Sequence, residues 1–347
     1  MPVPSRTRGK RKNGQVVETR RTVCVVTWPG FDPADEDIRR LFDEAGVEVD
    51  LKPKLGPRSP DELVEIMEDA AAAVASTDPF DRMVLERLPR LRVIARTGVG
   101  LDSIDLEAAT RAGIVVTRTS GAHEETVADH ALALMLAALR RVIENDASVR
   151  RGDWQRAGAP TPWGLHGRCV GIVGLGRIGG AVARRLHGFE CDVIAFDPYI
   201  QERLGVTLVT LDQLFERAEV VTLHAPLTPE TRGLVDARRL RSMRPGALLV
   251  NTSRGELVDE SALVSALTSG GLGAAALDVF VEEPPSTPRL FALPNVVLSP
   301  HIAGLTAESV RELTVQAVTS ALDVLAGRPN PGMVNPEALA HPRQRRQ

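Results

Sequence analysis

The sequence predicts an α/β protein built on two doubly wound parallel sheets. From Val23 onward, short apolar runs of strand length alternate with amphipathic segments, the pattern of parallel strands covered by helices on both faces. The alternation is interrupted once, by a stretch from His123 to Glu144 that contains no Gly or Pro, and then resumes as a second series.

The first series opens on the strand TVCVVTW, and the helix ADEDIRRLFDEAG follows and stops at Gly46. The strands VEVDL, AAAVAST, LRVIART and GIVVT come next, separated by helical stretches such as SPDELVEIMEDA. In the interrupting segment Leu132, Met135 and Leu139 recur at helical spacing, and Ala131, Leu134, Leu136 and Ala138 fill most other faces. A helix apolar nearly all round must be buried, between domains or between subunits. Residues 150–168 read as an irregular connection rich in Gly and Pro. The second series is CVGIVG, DVIAFD, VVTLHAP, ALLVNTS, GAAALDVF and NVVLSPH. Its last member begins as a buried strand at Val296 and stops at Pro300, with His301 next. The helix AESVRELTVQAVTSALDVLAG closes on Gly327 and Pro329, and a Pro-rich tail, read as mobile, ends the chain.

Composition narrows the function. Charged residues make up 25%, apolar residues 43%, and the formal net charge is -3, so no global basic field points to nucleic acid. The first 21 residues hold seven Lys and Arg against one acid and show no apolar period; they read as a disordered, solvated leader or, alternatively, as an arm that touches anions or nucleic acid. No apolar run approaches the roughly 18 residues of a membrane span. The apolar run behind the leader is too short for a secretory signal. Cys24, Cys169 and Cys191 are odd in number and sit in strand-like stretches, which suits reduced thiols of a cytoplasmic protein rather than disulfides or a metal set.

The most informative turn is CVGIVGLGRIGGAVARRL. It places Gly174, Gly176 and Gly179 as G-x-G-x-x-G between a strand and a helix, with Asp197 closing the next strand. Gly174 permits the tight turn, Gly176 admits a pyrophosphate, and Gly179 packs helix on sheet. Asp197 is suited to the adenosine ribose hydroxyls and repels a 2′-phosphate, so NAD is expected over NADP. Ligands of open parallel sheets bind beyond the carboxyl ends of the strands. The other strands of the second series end at His224-Ala225-Pro226, Thr252-Ser253-Arg254, Asp278 and His301, so one rim collects polar chemistry. Arg254 leaves a buried strand just before Gly255, and its planar fork suits a carboxylate. Glu283, in DVFVEEPP, is near enough in sequence to meet His301 on the next strand end. A carboxylate on imidazole fixes its tautomer for proton transfer.

These residues resemble the D-isomer-specific 2-hydroxyacid dehydrogenase family, and within it the branch acting on 3-phosphoglycerate. The resemblance runs from Val23 to Gly327 through VIARTGVGLDSIDLEAAT, GIVGLGRIGGAVARRL, LHAPLTPETRGLV, LLVNTSRGELVDESAL, AALDVFVEEPP and VVLSPHIAGLT. It implies an NAD-dependent oxidoreductase of small anionic substrates, working as a homodimer. Arg254 then grips the substrate carboxylate, His301 is the general acid/base, and Glu283 is its partner. Arg177 and Ile178 touch the pyrophosphate, Ala225 and Pro226 border the adenine side, and Thr252 meets the nicotinamide ribose. Asp278 sits near the carboxamide, and Gly304 lets backbone lie close to the nicotinamide. Val99 and Gly100 offer amides to the carboxylate, and Arg96 is a candidate for a second anionic group.

The resemblance also revises the domain order. A Rossmann NAD-binding domain (121–301) is inserted into a flavodoxin-like substrate domain (22–120 with 302–335), leaving 336–347 as the mobile tail. Two departures bear on substrate. Where the family has an asparagine, the cleft loop reads TSGAHEET with His123 in its place, and only 46 residues follow His301, which leaves no room for a serine-binding regulatory domain. Two other functions fit the same residues: oxidation of phosphite or a phosphonate, and a non-enzymatic NAD(H) sensor of the co-repressor kind.

Overall fold

The computed structural model describes residues 21–54, 56–119, 121, 123–154, 161–286 and 288–341. The basic leader before Arg21 and the last six residues of the tail lie outside them. The chain divides into two compact units, residues 1–119 with 314–347, and residues 120–313.

The first unit carries β1 (Thr22–Val26), α1 (Glu36–Ala45), β2 (Val47–Leu51), α2 (Pro60–Met67), β3 (Ala70–Ala75), α3 (Arg82–Glu86), β4 (Val93–Arg96), α4 (Leu106–Arg111) and β5 (Val115–Arg118). All pairings are parallel and the order is β2-β1-β3-β4-β5, the flavodoxin-like arrangement. Local chemistry sets the helix ends. Asp35 caps α1 through the amides of Asp37 and Ile38, and Gly46 ends it at φ +64°. Ser59 caps α2 with Pro60 in its first turn. The core between sheet and helices holds Leu63, Met67, Phe80, Leu88, Ile94 and Ile114, each 1% exposed or less.

The second unit carries α5 (Glu124–Arg140), α6 (Val142–Arg150), β6 (Cys169–Val173), α7 (Arg177–His187), β7 (Asp192–Phe196), β8 (Thr207–Leu208), α8 (Leu211–Arg217), β9 (Val220–Leu223), α9 (Ala237–Ser242), β10 (Leu248–Asn251), α10 (Glu260–Thr268), β11 (Ala274–Leu277), α11 (Pro288–Phe291) and β12 (Val296–Leu298). Its parallel sheet runs β12-β11-β10-β9-β6-β7-β8. Counted from β6, this is the 3-2-1-4-5-6 order of a dinucleotide-binding sheet with one extra edge strand. The order reverses between β6 and β9, so the crevice opens where Gly174 and His224 leave the sheet.

Several expectations need adjustment. The single helix expected from His123 to Glu144 is two, broken at Arg141, which takes φ +52°. Nothing in the local composition marks that break, since Arg141 is neither Gly nor Asn. Met135 is fully buried within its own unit, so it faces its own core rather than a subunit partner. The exposed apolar side chains of this region are Val142, Ile143 and Val149 on α6. The strand NVVL is an edge strand, with Leu298 exposed, rather than a buried one.

The division into compact units falls after Leu313, inside helix α12 (Ala307–Leu325). Residues 302–313 stay with the second unit because the Ile302 and Ala303 amides donate to Asp278. The tail expected to be mobile from 336 instead starts as a 3-10 turn over Pro336–Ala340. Fully buried Asn335 holds it, donating to the Thr110 hydroxyl and the Ile114 carbonyl and accepting from the Val116 amide.

Candidate active site

The rim of the second sheet is built strand end by strand end. After β6, Gly174 turns the chain at φ +88°, and a Cβ there would meet the His224 carbonyl carbon at 2.7 Å. A Cβ on Gly179 would lie 2.0 Å from the Gly174 carbonyl oxygen, so α7 can approach the turn only as glycine. Gly176 has nothing within 4 Å of a Cβ position and caps α7 without a side-chain hydrogen bond. The first amides of α7 therefore have no side-chain cap beside an open glycine face, as a pyrophosphate requires. After β7, Asp197 accepts from the Leu175 amide at 2.8 Å and the Tyr199 amide at 2.9 Å, tying the glycine turn to the neighbouring strand end. After β10, the Thr252 hydroxyl is buried and has no hydrogen-bond partner. An orphaned buried donor, an uncapped helix start and a bare glycine together fit a dinucleotide.

Arg177 is placed differently from the simple expectation. At the head of α7, its Nε pairs with Glu124 at 2.7 Å, and Glu124 also accepts from the Gly121 amide at 2.9 Å. Burial pushes the Glu124 carboxyl up, but helix-start amides, the Arg177 charge and His123 outweigh it, and its pKa lies below the ordinary value. The sequence reading missed Glu124; an acid in the first turn of a helix was its only signal. Ile178 follows in α7, and Ala225 and Pro226 leave β9 on the same rim.

His224 is half-buried, its Nε2 lies 2.9 Å from the Thr222 hydroxyl, and its Nδ1 is buried with no hydrogen-bond partner. Burial drives its pKa from 6.5 down to about 3, so it is neutral in the fold. Above pH 6.5 neither state binds the proton; below it the unfolded chain does and the fold does not. Stability then falls by up to about 1.4 kcal/mol per pH unit until the folded pKa is reached. In urea titrations between pH 7 and pH 4.5, the His224→Asn variant is expected to lose stability less steeply than the wild type. Parallel slopes would refute this assignment.

Arg254, Glu283 and His301 are brought together. Arg254 extends from β10, its carbonyl accepting from Asn251 Nδ2 and its Nη1 donating to the Ser253 carbonyl, both at 2.7 Å. The next residue must be glycine, since a Cβ on Gly255 would lie 2.0 Å from the Phe280 carbonyl carbon. Glu283 uses both oxygens: one lies 2.7 Å from His301 Nδ1, and the other accepts from the Phe280 amide at 3.2 Å. Burial raises the Glu283 pKa, but the His301 bond and charge, the Phe280 amide and the Arg254 charge win, and it is held below the ordinary glutamate value. An ionised Glu283 accepts from Nδ1–H, which leaves Nε2 as the ring nitrogen of His301 that Glu283 does not engage. His301 itself sits at φ +53°, an uncommon backbone for a non-glycine residue.

Asp278 is fully buried rather than open on the rim. It accepts from the Ser299 hydroxyl at 2.6 Å, the Ile302 amide at 3.0 Å and the Ala303 amide at 2.8 Å, while its carbonyl takes the His301 amide at 2.8 Å. The turn that presents His301 is thus wound around Asp278. His130 of α5 reaches the same Ser299 hydroxyl at 2.9 Å. Neither His130 nor Ser299 was singled out from sequence. His123 lies beside this turn, since a Cβ on Gly304 would be 3.6 Å from its ring. Arg96, Val99 and Gly100 lie in the first unit, Arg96 as the last residue of β4 and the other two on the loop after it, and Arg96 Nη1 donates to the Thr97 carbonyl at 2.9 Å.

Known proteins share this plan. Residues 132–303 match the model of the D-isomer specific 2-hydroxyacid dehydrogenase NAD-binding domain. A glyoxylate reductase of Korarchaeum cryptofilum is 42% identical over 85% of this chain and 92% of its own length. A D-3-phosphoglycerate dehydrogenase of Mycobacterium bovis is 41% identical over 84% of this chain, which spans only 56% of that longer protein. The crystal structure of the TT0316 protein from Thermus thermophilus superposes with a TM-score of 0.83 at 39% identity, covering 90% of this chain and all of the other. With a nicotinamide-dinucleotide sheet, an imidazole–carboxylate pair and an arginine on one rim, the chain belongs to the D-isomer-specific 2-hydroxyacid dehydrogenases, oxidoreductases acting on CH–OH donors.

Proposed function

We propose that this protein interconverts a small D-2-hydroxy acid and its 2-keto acid with NAD, using His301 as general acid/base. The observation that carries the reading is the 2.7 Å contact between Glu283 and His301 Nδ1, which leaves Nε2 outward on the rim that also carries Arg254. In reduction His301 Nε2–H donates to the carbonyl oxygen; in oxidation the neutral nitrogen takes the hydroxyl proton. Glu283 carries the opposite charge and fixes the ring. Arg254 holds the substrate carboxylate, so that C2 is oriented before reaction. The nicotinamide, when bound, supplies or accepts the hydride at C2.

The test is a panel followed by NADH absorbance with glyoxylate, hydroxypyruvate, 3-phosphoglycerate, phosphite and hydroxymethylphosphonate. Turnover of the keto or hydroxy acids supports the reading, with 3-phosphoglycerate favoured if Arg96 receives a second anion. Turnover of phosphite or phosphonate alone, or NADH binding with no turnover, contradicts it. The reading also takes the protein as a homodimer, for which exposed Val142, Ile143 and Val149 supply an apolar face.

Cofactor choice rests on Asp197. Its carboxylate is fixed by two backbone amides beside the glycine turn, a fixed negative charge where a 2′-phosphate would sit. Asp197→Asn keeps an acceptor and removes the charge. The preference for NADH over NADPH in kcat/KM is expected to shrink by about tenfold or more. An unchanged ratio would show that Asp197 does not discriminate.

A further inference from the structure

We infer that His130, acting through Ser299, is a positioning residue for the proton-carrying His301. The inference rests on the acid/base reading of His301 given above.

The Ser299 hydroxyl has one proton to give. Ser299 Oγ donates to Asp278 Oδ1 at 2.6 Å and lies 2.9 Å from His130 Nε2. Its single proton is committed to the carboxylate, so the second contact has to run the other way. His130 Nε2 must carry a hydrogen and donate it to Ser299. The direction of the whole chain follows: His130 to Ser299, Ser299 to Asp278. The same His130 nitrogen stands 3.5 Å from Asp278 Oδ1, so its N–H also faces the buried charge.

What this chain supports is the turn that carries the chemistry. Asp278 is 0% exposed and binds the Ile302 and Ala303 amides, while its own carbonyl binds the His301 amide. Those bonds pin His301 at φ +53°, a conformation that persists only where its surroundings over-determine it. Ser299 supplies a 2.6 Å side-chain hydrogen bond to that carboxylate, and His130 is placed to keep Ser299 turned toward it. His130 comes from α5, far away in sequence, which packs across β10, β11 and β12. It touches neither Glu283 nor His301 in any hydrogen bond shown, so it acts by placing the turn rather than by moving the reacting proton.

The test uses the full chain with NADH and, as probes, glyoxylate and hydroxypyruvate. His130→Leu removes the donor, and His130→Gln replaces it with an amide N–H of similar reach. His130→Leu is expected to lower kcat about tenfold, the scale of one lost buried hydrogen bond, and to leave KM for NADH within about twofold. His130→Gln is expected to recover most of the loss. Ser299→Ala should match His130→Leu, and the double variant should be no worse than either, because both cut one chain. The downfield proton signal of the His301–Glu283 hydrogen bond should shift or broaden in His130→Leu and return in His130→Gln.

A wild-type kcat in both His130→Leu and Ser299→Ala, beside a dead His301→Ala, would overturn the inference alone. So would a loss in His130→Leu that His130→Gln fails to restore, since packing and not the donor would then be responsible. A His301→Ala enzyme that still turns over would overturn the acid/base reading, and this inference with it. If His130→Leu does not fold, Ser299→Ala and His130→Gln decide.

Discussion

Turnover by the His301→Ala variant is expected to fall by about 10²- to 10⁴-fold, the range of general acid–base catalysis, with NADH bound as by the wild type. The two halves of this result come from different parts of the rim. NADH is expected to meet the glycine turn, the start of α7 and Asp197, none of which His301 contacts in any hydrogen bond shown. The proton, in contrast, is expected to travel through His301. His301 Nδ1 is held by Glu283 at 2.7 Å, and the ring is exposed enough to meet a substrate. The depressed pKa of Glu283 keeps the partner ionised across the neutral range, so the tautomer with Nε2 outward is the one in use. Fluorescence titration with NADH and steady-state kinetics from pH 5 to pH 10 check both halves. Near-normal kcat across that range would remove His301 from the mechanism. Loss of NADH binding would mean that the turn around Asp278 had collapsed, and His301→Gln would then serve as the gentler probe.

Much of the candidate site was legible because several of its predicted residues stand at or just past a strand end. Strand ends are marked by a change from apolar to Gly, Pro or polar residues, and the parallel topology sends all of them to one rim. Gly174, Asp197, Arg254 and His301 could be found that way, and Glu283 followed from its place one connection earlier. Asp278 was found as a position but not as a part. Sequence marks an acid at a strand end, and only the fold shows it fully buried with three donors around it. Glu124 and His130 escaped for a related reason. They lie on α5, and their partners Arg177 and Ser299 are supplied by elements distant in sequence, so no local spacing announces them. The break at Arg141 was illegible because a left-handed residue without Gly or Asn leaves no compositional trace. That residues 302–313 pack with the second unit was not legible because α12 is one uninterrupted amphipathic run, whichever unit its first turns join.

The second large effect is at Arg254. The Arg254→Ala variant is expected to lose about 10²- to 10³-fold in kcat/KM for the keto acid, in line with the roughly 2–5 kcal/mol lost when one partner of a hydrogen-bonded charge pair is cut away. Arg254→Lys should lie between, because an ammonium restores the charge but not the planar two-pronged grip on a carboxylate. Geometry favours a residue held ready rather than a mobile surface arginine. Its backbone is fixed by the Asn251 amide, its Nη1 is braced on the Ser253 carbonyl, and Gly255 lets the chain press against Phe280. Its charge also helps to hold the Glu283 carboxyl down, so the substitution touches the proton pair as well as the substrate. The loss should therefore appear in kcat as well as in KM for the keto acid, while KM for NADH stays put. A change confined to KM for NADH would place Arg254 on the cofactor instead. A substrate loss with kcat intact would make it an anchor alone, with no hand in keeping Glu283 charged opposite His301.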